Sequence, residues 1–139
     1  MRRNRVLLAF LLVGISTGAL ADTERFAVFR KDTNIGRVVV DTAGDTAKVD
    51  YNVKDNGRGP TVAETLTLDA GGLPNQWAIT GTQTFGGKIN EVFERKGTTS
   101  TWIDSAGPGK AKGTAKLYIA QSASPYALQI YARAILKAG

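Results

Sequence analysis

Two carboxylates stand where chemistry would be possible. Glu64 shares a strand parity with Val62, Leu66 and Leu68, and Glu91 shares one with Ile89 and Phe93. An acid on an apolar face is costly unless something answers it, and Arg58 and Arg95 are the candidate partners. Two chemistries fit. One is a carboxylate pair for acid–base work or for holding a cationic ligand. The other is a structural ion pair, or a strand end already open to water, which is the commoner fate of such groups. A second constellation is aromatic: Trp77, Phe85, Trp102, Tyr118 and Tyr126 either line an apolar pocket or belong to the core of a small β domain.

Other chemistries are excluded by residue type. The chain has no His and no Cys, which removes nucleophilic triads and dyads with a His base. It also removes the ligands on which zinc, copper and iron sites draw most heavily. Asp41, Asp45, Asp50 and Asp55 recur around two turns but lack the spacing and the following Glu of a calcium loop. The Gly-rich run Gly107 to Gly113 lacks the GK[ST] order of a phosphate loop. No catalytic residue and no metal site are expected in this chain.

The elements that must position these residues begin after a leader. Arg2, Arg3 and Arg5 precede an uncharged apolar run from Val6 to Ile15, and Ala19-Leu20-Ala21 then offers a small-residue cleavage site. This pattern predicts a signal peptide over 1–21, cut between Ala21 and Asp22, and an exported protein of the bacterial periplasm or exterior. The apolar run is shorter than the roughly 20 residues of a bilayer span, so no stable membrane span is expected after cleavage. Of the 18 basic residues, the leader holds three, leaving fifteen against 12 acids and a net charge of +3 in place of +6. The longest basic runs, Arg30-Lys31 and Arg95-Lys96, are two residues each, so a nucleic-acid partner is not expected.

Residues 22–139 read as a single antiparallel β domain with a C-terminal helix. Period-two runs separated by turn residues predict a meander of about seven or eight strands, curved or half-barrel in shape and closed by the helix. The clearest run sets Ala47, Val49, Tyr51 and Val53 on one face and Lys48, Asp50, Asn52 and Lys54 on the other. Asp55-Asn56-Gly57 suits a type I′ turn, although Arg58, Gly59 and Pro60 lengthen the connection. Gly36 marks a bulge or bend. Ser105 to Gly113 reads as the loosest linker, and Ala115 to Ala120 as a last short strand or extended segment. Ser124 and Pro125 then form a helix start, and Gly139 is a plausible helix stop. Leu128, Tyr131, Ala132, Ile135 and Leu136 form the apolar stripe expected to dock the helix.

The stretch from Tyr51 to Arg95, with its turn motif Asp55-Asn56-Gly57-Arg58-Gly59-Pro60, resembles the N-terminal extension of exported bacterial metal-dependent amidohydrolases of the imidazolonepropionase-like type. The stretch from Leu117 to Lys137 resembles the end of the same extension. The resemblance covers nearly all of the mature chain. It implies an accessory domain, structural or cleft-shaping, whose partner is a hydrolase domain that follows it or associates with it. The family's hydrolytic centre uses a His-x-His pair, further His residues and an Asp in a TIM-type barrel, none of which maps onto this sequence. A divalent metal is therefore implied only in that barrel. The alternative is a free-standing periplasmic module for a ligand or a protein partner.

Overall fold

The computed structural model describes residues 21–114 and 117–138. The leader up to Leu20, the pair 115–116 and the predicted helix stop Gly139 lie outside the described residues. Among the described residues eight strands follow one another: β1 (Asp22–Arg30), β2 (Thr33–Ala43), β3 (Thr46–Val53), β4 (Thr61–Leu68), β5 (Pro74–Thr82), β6 (Lys88–Lys96), β7 (Thr99–Asp104) and β8 (Gly107–Lys112). Each pairs antiparallel with the next, in the order β1 to β8. The outer strands do not meet, so the sheet is not closed into a barrel. One helix, α1 (Tyr126–Ala138), completes the fold. The expected antiparallel meander of seven or eight strands with a closing C-terminal helix is what the described residues form.

The strand alternation sets one face inward. Registers align residues into rows across the sheet, and one row runs Val40, Val49, Glu64, Ile79, Glu91. Another runs Ala47, Leu66, Trp77, Phe93, Trp102, Gly109. The core gathers Val38 and Val40 of β2, Phe93 of β6, and Tyr126, Ala127 and Ile130 of α1 into one cluster. Eight strands about 4.8 Å apart would spread far wider than one helix about 10 Å across. The sheet must therefore curve round α1 for residues from β2 to β6 to share a core with it.

Turns are where the chain bends most sharply. Asn56 (φ 52°) and Gly57 (φ 76°) both take positive φ, and the Asp55 and Arg58 backbones exchange hydrogen bonds of 2.7 and 3.0 Å. This is a two-residue type I′ turn, and Arg58 to Pro60 is a return that brings the Pro60 carbonyl 3.1 Å from the Val53 N–H. At Gly59 a Cβ would sit 2.0 Å from the Val53 oxygen, so no other residue fits. The bulge expected at Gly36 is present: Val28 faces Gly36 while Phe29 faces Asn34, leaving Ile35 over.

Two expectations are corrected. The run Ser105 to Gly113 is not a linker, because Gly107–Lys112 is the eighth strand. It lies at the sheet edge, where Pro108 sacrifices no essential ladder bond, and Gly109 makes room for Trp102, whose Cε2 would stand 2.1 Å from a Cβ there. Residues 117–120 belong to neither a strand nor a helix. The docking stripe of α1 is also displaced. Ala127, Ile130, Tyr131 and Ala134 face inward, whereas Leu128, Ile135 and Leu136 are 68%, 67% and 82% exposed. Both sets follow helical spacing, and tethers at the start of the helix decide between them.

Candidate functional site

The tethers are built on the two carboxylates. Glu64 and Glu91 are both buried, 3% and 2% exposed, and they flank Ile79 in one cross-strand row. Glu91 Oε1 accepts from the Tyr118 hydroxyl at 2.6 Å and from the Gln121 N–H at 3.0 Å, and its Oε2 accepts from the Ser122 N–H at 2.9 Å. Glu64 Oε2 accepts from Trp77 Nε1 at 2.8 Å, and its Oε1 accepts from the Ser124 N–H at 2.5 Å. Side chain and backbone donors thus satisfy both acids, as burial demands. Their common product is the segment from Tyr118 to Ser124, drawn down onto the sheet.

That segment delivers the helix. Ser124 caps it, its Oγ accepting from the Tyr126 N–H at 3.3 Å and its carbonyl from the Ala127 N–H at 3.1 Å. Pro125 follows at the first position, as predicted. Tyr131, one turn further, accepts the Ala120 N–H on its hydroxyl at 2.9 Å and tilts against Trp77 at 6.4 Å. Tyr118 stacks on Phe93 with ring centres 4.4 Å apart. Burial, then the hydrogen bond to Glu91 and its charge, push the Tyr118 phenol well above its ordinary pKa, so it stays a donor to the carboxylate. Gln121 is further tied to Asp104 and Ser105 at the β7–β8 turn.

The basic residues suggested as partners lie elsewhere. Arg95 pairs with Asp69 at 2.6 Å, and its side chain is only 8% exposed. Arg58 is exposed in the turn motif, where Asp55 instead meets Arg30 at 3.0 Å. Partial burial raises Asp69, but the Leu73 N–H, the bond and charge of Arg95 and the Gly71 N–H outweigh it and hold the carboxyl below its ordinary value. Asp69 thereby braces the β4–β5 turn, whose Gly71 carbonyl receives Lys137 Nζ from the last turn of α1.

The candidate aromatic pocket is not assembled. Trp77 and Tyr126 are core, Trp102 is half-buried over β8, and Phe85 is 87% exposed in the β5–β6 turn. A different apolar groove of about 410 Å³ opens between β1 and the first turn of α1, lined by Phe26, Ala27, Val28, Phe29, Val38, Pro125, Tyr126 and Gln129. Of the aromatics singled out from sequence, it takes Tyr126 alone. Phe26 and Phe29 were legible only as two large apolar residues in a strand otherwise rich in charge.

The described residues offer no seat for the metal that the resemblance implies. The chain lacks His and Cys, and the described residues contain no group of three or more His, Cys, Asp or Glu able to hold an ion. No helix among them is long and apolar enough to cross a membrane. Comparison of the chain with protein-family models, with curated proteins and with solved structures finds no match.

Proposed function

We propose that the chain is an exported, non-catalytic β module that works by association, seating a folded hydrolase domain of the amidohydrolase type against the outer face of α1. That domain either follows in the same polypeptide or is a separate chain, and any divalent metal is held by its residues. The reading rests on one observation. Leu128, Ala132, Ile135 and Leu136 fall at i, i+4, i+7 and i+8 and turn outward, with the three large aliphatics 68%, 67% and 82% exposed. Single exposed apolar residues are ordinary, but a contiguous stripe marks an interaction surface. Covering each of these side chains would gain about 1.5–3 kcal/mol. The resemblance supplies the class of partner, and the commitment of Glu64 and Glu91 to backbone N–H groups and to Trp77 and Tyr118 supports the absence of a reaction in the module itself.

The test joins genetics to capture. The processed chain is used as bait in an envelope extract of its own host, beside Ile135→Glu and Leu136→Glu variants, and the reading frame beyond Gly139 is sequenced. An in-frame His-x-His hydrolase, or a captured metal hydrolase that both variants lose, supports the proposal. A stop codon after Gly139 together with no hydrolase captured overturns it.

The groove between β1 and α1 favours a second reading, a free-standing module that binds an apolar small molecule. Its volume falls in the roughly 300–1,000 Å³ range of such sites. Thermal shift against a series of apolar compounds tests it, and no shift with any of them would remove this alternative.

A further inference from the structure

The two edges of the sheet are unequal. β8 is six residues long and blunted by Pro108, Lys110 and Lys112, the usual devices against edge-to-edge pairing. β1 is nine residues long, has neither Pro nor Gly, and pairs only with β2 among the described residues. It also leaves Phe26 45% and Phe29 61% exposed. A long edge without Pro or Gly that exposes two Phe side chains is a template for a strand whose charges match its own.

The charges on β1 name the strand that fits. Its sequence, DTERFAVFR, opens on an acid and closes on a base. We propose that this edge pairs with β1 of a second copy, antiparallel about a two-fold axis at Phe26, to join two sheets into one. Side chains on the same face must meet across an antiparallel pair, so a two-fold partner keeps residue parity and only even shifts are open. In the register centred on Phe26, all nine residues pair. Asp22 faces Arg30 of the second copy at both ends, Glu24 faces Val28, Arg25 faces Ala27, and Phe26 faces its own copy. A shift of two residues one way sets Arg25 against Arg25, and the opposite shift leaves Asp22 and Thr23 unpaired. Arg30 is more than half exposed where it meets Asp55 at 3.0 Å, and its remaining donors can take a second carboxylate. The Phe26 rings, about 5 Å apart between Cβ atoms, would close the mouth of the groove over Val28 and Tyr126. This surface is separate from the outer face of α1, so the two associations are independent.

Sedimentation of the processed chain over a concentration series tests the proposal, with circular dichroism to check that each variant folds. A monomer–dimer equilibrium is expected. Phe26→Lys should abolish it by setting two charges on the axis, while Leu136→Lys on α1 leaves it unchanged. Asp22→Arg should raise the dimer dissociation constant about tenfold, and adding Arg30→Asp should restore it. Asp22 is exposed at the strand end, so this pair of variants remains informative should Phe26→Lys fail to fold. A monomer at every concentration overturns the proposal. So does a dimer lost with Leu136→Lys but kept with Phe26→Lys, or a charge reversal that the second reversal does not rescue.

Discussion

Glu64 and Glu91 point into the same cross-strand row on either side of Ile79, yet they never act on one another. Each holds a different end of the segment that carries the chain from the last strand to the helix. The acids are paired in position and separate in duty. Their removal should therefore be felt as lost stability. In Glu91→Gln one oxygen survives, but the new amide hydrogens face a backbone N–H or a phenol that also donates. A buried donor left without an acceptor costs about 1–3 kcal/mol. Urea titration of Glu91→Gln and of Glu64→Gln should each show a loss in that range. A change near zero for both would mean that the segment is not fixed by these acids.

The helix makes a sharper prediction, because its two apolar stripes compete. Ile130 is fully buried, so Ile130→Ala should cost about 2–5 kcal/mol through the cavity it leaves. Leu128→Ala and Ile135→Ala, on the exposed stripe, should stay within about 0.5 kcal/mol in the isolated module. Denaturant midpoints of the three variants decide the orientation of α1. Equal losses at Leu128 and Ile130 would refute the docking described here.

The first seven strands, the inward parity of Val49, Glu64 and Phe93, and the Ser124 cap were all readable from local pattern, since period and cap chemistry are properties of neighbouring residues. The rotation of α1 was not. It depends on the Glu64 contact with Ser124 and on the Tyr131 contact with Ala120, and both partners of each are distant in sequence or hidden in a loop. The same holds for the site. That Glu64 and Glu91 needed partners followed from their faces, but three of their five donors are backbone N–H groups, which leave no mark on residue identity, and the other two, Trp77 and Tyr118, stand out only as aromatics. Every chain offers backbone donors everywhere.

β8 illustrates how composition misleads at an edge. Gly, Pro and Lys in alternation look like a linker, but each has a place there, and Gly109 has the strictest. Trp102 covers it so closely that a Cβ would overlap the indole at 2.1 Å. Gly109→Ala should push Trp102 off the strand and cost about 1–3 kcal/mol by overpacking. Near-ultraviolet circular dichroism would report the indole directly. An unchanged Trp signal and an unchanged midpoint would show that the ring does not lie over β8.

The Asp69–Arg95 pair, at 2.6 Å, should give the fold its acid-sensitive contact. Asp69 is held below its ordinary value of 3.8: partial burial opposes this, and the Leu73 N–H, Arg95 and the Gly71 N–H prevail. A carboxyl with a lowered folded pKa contributes stability that is fully present above its unfolded pKa. That contribution is lost as pH falls through the folded value. Asp69→Asn keeps an oxygen for the Leu73 N–H but removes the charge facing Arg95. It should cost about 1 kcal/mol at neutral pH, the low end for a hydrogen bond to a charged group, because Asp69 is partly open to water. The difference from the unaltered chain should shrink as pH drops from the ordinary 3.8 through the lowered folded value, below which the native carboxyl is neutral too. Thermal midpoints of the two proteins across that range provide the measurement. Curves that stay parallel into acid would mean that the charge on Asp69 contributes nothing to holding the β4–β5 turn.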